Sequence, residues 1–454
     1  MFTNKSFDTV GFDSQVSVAK PEVSTNVQTT EIVYSSSEIQ AVEKRSVETQ
    51  TVQEQVKIPS IDYSSLADFL KRVTPNVLKA LDETYNTTAF DDYNPGTTTN
   101  KPANLQLLKK LNTTQESDST ETKISDLSWS IAGGTLAVSH IDTNHSPYSC
   151  SHHAEIQLYS LSIEDKMSDT PNKTLEVNSC VSVLSYHPVE PSILAAGLIN
   201  GNVLVWNLRN DDSIIPIKVC THDDSVSHIY WNTRVASGSS LLASSSRDGY
   251  IMVHKLMPDF TTRLHKRFKI ILENKPEVGQ WITTFDFSWK DPTLFIAGTL
   301  NGRIYKCSLR VSPFEGDKNL FNPVIGEYDS SRGSITCVKC SPTRNLFVTY
   351  SYGELRIYDF DQNVSQQSIS MEYNVLGLTW MVGNQDVFAT YGADANIEFY
   401  NVTDGKAVTN VKIKEPDANS GSITSLCVNS KRDVLAIGDT KGNVEVLKVP
   451  RQLF

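Results

Sequence analysis

The 454-residue chain has no run of about 18 apolar residues, so no helix of ordinary length is expected to span a membrane. Its first ten residues, MFTNKSFDTV, lack an apolar core, and no secretory signal is expected. Cysteines are sparse: seven, with no framework spacing, which fits reduced thiols in a cytoplasmic compartment. Basic residues are in the minority. Residues 1–123 carry 12 Lys/Arg against 17 Asp/Glu, and the rest carry 29 against 35. A surface that tracks phosphates, and hence a nucleic-acid partner, is not indicated. No glycine-rich phosphate loop precedes a helix, and the nine histidines form no pairing with a nucleophile. Cys337 and Cys340 have a CxxC spacing but fall on an expected strand, where i and i+3 face opposite ways. Cys150, His152 and His153 cluster in one loop without a second ligand pair at the usual spacing. The expectation is therefore a non-enzyme with no catalytic residue, no cofactor, no metal site and no membrane partner.

What is present divides the chain in three. Residues 1–60 are rich in Ser, Thr, Val, Gln and Glu and poor in aromatics. Such a stretch buries too little apolar surface to offset the entropy of ordering, so a disordered tail is expected. Residues 61–123 are expected to hold short amphipathic helices and a linker. In 62–85, Leu66, Phe69, Leu70 and Val73 fall at helical spacing, and Val77, Leu78 and Leu81 continue the stripe. Thr74-Pro75 between them reads as a cap and first helical position, giving one kinked helix or two short ones. Leu105, Leu107, Leu108 and Leu111 suggest a third short helix.

From residue 124 to 454 the texture is repetitive and all-β. Seven units begin at 124, 181, 226, 282, 335, 375 and 423. Each has an alternating strand, a small-residue-rich strand, a tight turn and a final alternating strand. The turns are Asn200-Gly201, Asp248-Gly249, Asn301-Gly302, Tyr352-Gly353, Asp394-Ala395 and Lys441-Gly442. Asn-Gly and Asp-Gly supply the positive φ of two-residue hairpins. The period and shared register predict a seven-bladed WD-repeat β-propeller with a disordered, short-helical N-terminal tail. The repeats are degenerate. Only Trp206-Asn207 and Tyr358-Asp359 approach the WD dipeptide, and no unit holds a complete Asp–His–Ser–Trp set.

Several blade sequences are more specific than a generic propeller. "HPVEPSILAAGLINGNVLVWNL" (187–208), "FIAGTLNGRIYKCSL" (295–309), "HSPYSCSHHAEIQLYSL" (145–161) and "LAIGDTKGNVEVLKV" (435–449) resemble the dynein intermediate chain family over residues 124–450. Tyr148 and Tyr159 depart from that family's pattern in the first blade. No heptad precedes the propeller. The short Ser/Thr-rich tail with a TQT site is most similar to the intermediate chains of cytoplasmic dynein 2, the motor of retrograde intraflagellar transport. That resemblance implies a non-catalytic scaffold in cytoplasm and cilium or flagellum. Its expected partners are a dynein heavy chain, a second intermediate chain, a small TQT-reading light chain and a roadblock-type light chain. It assigns Glu48, Thr49, Gln50 and Thr51 to the small light chain, with Val27, Gln28 and Thr29 as a second anchor. Leu66, Phe69, Leu70, Val73, Val77, Leu78 and Leu81 would meet the roadblock-type light chain. An axonemal intermediate chain and a WD-repeat adaptor of a non-motor complex are the alternatives.

Overall fold

The computed structural model describes residues 63–85, 105–113, 122–143, 150, 152–209, 215–235, 238–272, 275–314, 317–393, 396–403, 405–412 and 421–449. The chain forms two units, 1–94 and 95–454. The tail expected to be disordered, residues 1–60, lies outside the described residues.

Among its described residues the first unit forms a helix, α1 (Tyr63–Tyr85). It runs unbroken through Thr74 and Pro75, so these residues do not start a second helix as the cap reading would have it. Pro75 brings no N–H to the carbonyl of Lys71, a deficit that a helix interior tolerates at a cost. The apolar stripe on both sides of the proline keeps one phase: Phe69, Leu70 and Val73 are followed by Val77, Leu78 and Leu81.

The second unit is a ring of seven antiparallel blades. Blade 1 is Thr122–Trp129, Thr135–Asp142, Ala154–Ser160 and Lys173–Val177; blade 2 is Val181–Tyr186, Ile193–Leu198, Asn202–Asn207 and Ile217–Thr221. Blade 3 begins with Val226–Asn232, Ser240–Ser246, Tyr250–Leu256 and Thr262–Lys269; blade 4 is Ile282–Phe287, Leu294–Thr299, Ile304–Ser308 and Val324–Glu327. Blade 5 is Ile335–Cys340, Leu346–Ser351, Glu354–Asp359 and Gln367–Ser370, and blade 6 is Val375–Trp380, Val387–Gly392, Asn396–Asn401 and Ala407–Lys412. Blade 7 takes Ile423–Val428, Val434–Asp439 and Asn443–Lys448, and its outer strand is Gln106–Asn112.

That outer strand corrects the expected third helix. The leucines at 105, 107, 108 and 111 mimic helical spacing because the strand is irregular. Its register slips between Leu107 and Lys109, so one extra residue shifts the in–out alternation. Leu111 is then fully buried against Ile124 and Val444, whereas Leu107 is exposed. The edge of Asn443–Lys448 offers unpaired backbone groups, and pairing them outweighs a solvated helix turn.

Second strands are almost wholly buried, and their small residues let blades approach. A Cβ at Gly197 would lie 2.5 Å from Val226 of blade 3, and one at Gly298 would lie 2.6 Å from Ile335 of blade 5. Gly438 of blade 7 meets Ile124 of blade 1 in the same way, where the ring closes. The turns also differ from the expected two-residue form. Gly201, Gly249, Gly302 and Gly442 have positive φ, but the residues before them do not. Each of these glycine N–H groups bonds the carbonyl three residues back, as in a three-residue loop with a glycine bulge. Tyr352-Gly353 alone among the described turns has two positive φ values, 43° and 79°. Residues 394–395 lie outside the described residues. Blade 3 gains two short strands, Pro313–Phe314 and Asp317–Phe321, from the loop that precedes Val324; the second runs parallel to Thr262–Lys269.

Candidate functional site

On α1, Leu66, Phe69, Leu70, Val77, Leu78 and Leu81 are each between 42% and 57% exposed. Val73 is half-buried. Fully covering a leucine or phenylalanine contributes about 1.5–3 kcal/mol, so a groove that accepted this stripe would gain substantially. The anchors Glu48–Thr51 and Val27–Thr29 lie outside the described residues.

The propeller places its buried charges around the central channel. Asp126 accepts hydrogen bonds from Leu127 N (2.8 Å), from Leu184 N of blade 2 (2.8 Å) and from the Ser425 hydroxyl of blade 7 (3.1 Å). Asp286 likewise accepts from Phe287 N (2.9 Å) and from Cys340 N of blade 5 (2.7 Å). Burial raises both carboxyls, and their backbone bonds oppose that rise. Lys339 stands between blades 4 and 6. Burial alone would lower its ammonium, but the Asp286, Cys337 and Asp126 charges outweigh it and hold it up. His228, another channel-lining residue, is pushed down to about 3 by burial and then by Lys339. Asp126 and Asp286 thereby staple one blade's first strand to the next. The same job falls to Ser128, which accepts from Tyr186 N at 3.0 Å.

Blade 3 holds three members of the WD hydrogen-bond set. His222 Nδ1 is 3.0 Å from Asp248 Oδ2, and its Nε2 is 2.9 Å from Ser244 Oγ. His254, not tryptophan, stands on the third strand in the place that Trp206 takes in blade 2. The set is thus incomplete even where it is strongest, as the sequence indicates.

The CxxC pair behaves as strand geometry requires. Cys337 packs between blades 5 and 6, and Cys340 packs between blades 4 and 5. Burial pushes both thiols up. The loop cluster is different. Cys150 and His152 come within 4.8 Å, by their ligand atoms, of Cys180, which lies just before the first strand of blade 2. Cys180 Sγ is 3.3 Å from His152 Nε2, and Cys180 N donates to Cys150 Sγ at 3.1 Å. His152 Nδ1 is 2.9 Å from the His153 carbonyl. Sequence reasoning could not pair residue 150 with 180, because only the fold of blade 1 brings the loop back to that junction. His153 does not join them; its Nε2 lies 3.6 Å from Glu176.

Among the described residues, no helix is long and apolar enough to cross a membrane. No protein-family model matches the chain. The chain is similar to cytoplasmic dynein 2 intermediate chain 2 of Homo sapiens, 27% identical over 414 residues, covering 85% of this chain and 76% of that protein. The Mus musculus protein of the same name is 26% identical over 86% of this chain and 76% of its own length. Ciliary dynein intermediate chain 2 of Heliocidaris crassispina is 22% identical over 62% of this chain and 41% of its own length. The resemblance to dynein intermediate chains expected from the blade motifs is thus found, with dynein 2 chains among the relatives. A match over 85% of 454 residues cannot fit inside the propeller and includes at least part of α1.

Proposed function

We propose that this chain is a non-catalytic intermediate chain of a dynein motor of the cytoplasmic dynein 2 type. The observation that carries this reading is the length of the match. The dynein 2 relatives align beyond the propeller and into the helical unit, whereas the ciliary relative's match is short enough to fit within the ring. The propeller binds the heavy-chain tail. The chain works in retrograde intraflagellar transport, in the cytoplasm and the cilium or flagellum.

The N-terminal unit collects light chains. The stripe Leu66, Phe69, Leu70, Val73, Val77, Leu78 and Leu81 enters the groove of a roadblock-type light-chain dimer as an amphipathic helix. Glu48-Thr49-Gln50-Thr51 adds as an extended strand to a sheet edge of the small TQT-reading light chain, with Val27-Gln28-Thr29 as a second anchor. A dimeric light chain has two grooves, so the same contacts tether a second intermediate chain. Two weak sites on one tether raise the effective concentration of each.

Affinity purification of the full chain from ciliated cells, with mass spectrometry of the partners, tests this. Intraflagellar-transport dynein subunits are the expected recovery. Arm dyneins would favour the axonemal reading, and a ubiquitin-ligase or chromatin complex would favour the non-motor adaptor. Replacing Thr49-Gln50-Thr51 by alanines is expected to abolish recovery of the small light chain and to leave the heavy chain in place. Unchanged recovery of that light chain would remove the anchor assignment.

A further inference from the structure

We propose that Cys150, His152 and Cys180 form a zinc site that clamps the long loop of blade 1 to the junction of blades 1 and 2. Two buried cysteines by themselves would be ordinary packing: Cys150 and Cys180 sit in a small apolar cluster with Ile199. The third member is what packing does not explain. His152 is exposed, yet its Nε2 is directed at the Cys180 sulfur at 3.3 Å.

The distances suit a tetrahedral ion. With Zn–S near 2.3 Å and Zn–N near 2.0–2.1 Å, tetrahedral angles put a sulfur and a nitrogen ligand about 3.6 Å apart and two sulfurs about 3.8 Å apart. The observed 3.3 Å is close to the first of these, and all three donor atoms lie within 4.8 Å of one another. Small rotamer adjustments close the remainder.

The surroundings are those of a ligand set. His152 Nδ1 lies 2.9 Å from the His153 carbonyl. A proton donated there leaves Nε2 as the lone-pair nitrogen, the tautomer that a metal requires. The Cys180 amide donates to the Cys150 sulfur, which stabilises a thiolate. Two thiolates and an imidazole favour zinc over hard cations such as magnesium or calcium. Solvent, reached on the His152 side, completes the coordination. On binding, each thiol loses its proton to solvent as its sulfur–metal bond forms; nothing is oxidised or reduced.

The ion joins two segments that already meet in the cluster of Cys150, Cys180 and Ile199. One is the loop between Thr135–Asp142 and Ala154–Ser160. The other is the turn between Lys173–Val177 and Val181–Tyr186.

The test uses the full chain, purified under reducing conditions with zinc supplied, and elemental analysis after desalting. About one zinc per chain is expected. Cobalt substitution should give thiolate-to-metal charge-transfer absorption and the intense visible bands of a tetrahedral centre. His152→Ala is the deciding variant, because an exposed side chain can be replaced without unfolding the blade. It should weaken zinc retention by at least about tenfold, while His153→Ala leaves it unchanged. Cys180→Ser should abolish the cobalt charge-transfer band. Absence of metal, zinc retained equally by wild type and His152→Ala, or alkylation showing Cys150 and Cys180 joined as a disulfide would each overturn the assignment.

Discussion

Gly298 shows how one hydrogen atom sets the spacing of two sheets. Its missing side chain is where Ile335 of the next blade rests, and a Cβ there would also press on Val338 at 3.2 Å. Gly298→Val is expected to destabilise the propeller by about 1–3 kcal/mol, read as a lower denaturant midpoint with an unchanged slope. Gly326, whose Cβ would meet only Lys306 at 3.7 Å, should accept alanine with little effect. Histidines set a second residue-scale property. Burial holds His140 and His254 down at about 4, the latter with help from His222, and holds His228 at about 3. An unfolded histidine titrates near 6.5. Between that value and about 4 the unfolded chain binds more protons than the folded one, so stability rises with pH across this window. Asp248 acts in the same direction lower down. Burial raises its carboxyl, the His222 contact and the amides of Tyr250 and Asp223 together more than reverse this, and the resulting stability is lost as pH falls below the usual carboxylate range. Thermal unfolding at pH 7 and pH 4.5 should show a lower stability at the lower pH, set by the histidines less the opposing contribution of Asp126 and Asp286, whose raised carboxyls take up protons in the folded chain. Replacing His254 by glutamine should flatten that slope.

At the scale of elements, α1 makes the sharpest prediction. Leu70 and Leu78 lie two turns apart on one stripe, both half exposed. Replacing both by aspartate should leave helix content unchanged by circular dichroism and weaken capture of a roadblock-type light chain at least about a hundredfold. Equal capture by the double variant would place that partner elsewhere. The same elements show where sequence is legible. Third strands announce themselves: NVLVWN, ELRIYD, NIEFYN and NVEVLK alternate, and all bury their second, fourth and fifth positions. Glycines at the turns are equally plain, although the loops of Gly201, Gly249, Gly302 and Gly442 hold three residues because the residue before each keeps negative φ. The strand at 106–112 was hidden because its bulge turns a period of two into something like a helical spacing. Asp317–Phe321 was hidden because nothing local says that a loop of blade 4 will lie along blade 3. The Cys180 partner of Cys150 and His152 was hidden for the same reason: proximity there belongs to the fold, not to spacing.

The whole ring has a core divided into seven parts. Each junction between blades has its own cluster of buried side chains, from Leu184 and Trp206 at blades 1 and 2 to Leu111, Ile124 and Val444 at blades 7 and 1. No junction can be removed without exposing two faces, so the closing one matters as much as any other. A chain beginning at residue 105 should fold to a stable propeller. One beginning at residue 114 should melt at lower temperature and self-associate, because the edge of Asn443–Lys448 and the site of Leu111 are then bare. Equal melting temperatures for the two would show that the outer strand adds nothing to closure.

The outer strand of blade 7 also sets an order of events on the ribosome. Thr113, at its end, bonds the carbonyl of Gly442, 329 residues later. At about 5–20 residues per second, the strand emerges roughly a quarter of a minute to a minute before its partner exists. During that interval α1 and everything before it are already outside the exit tunnel, while the ring is still open. A subunit that recognises the N-terminal unit can therefore engage a nascent chain, before the surface that depends on a closed propeller has formed.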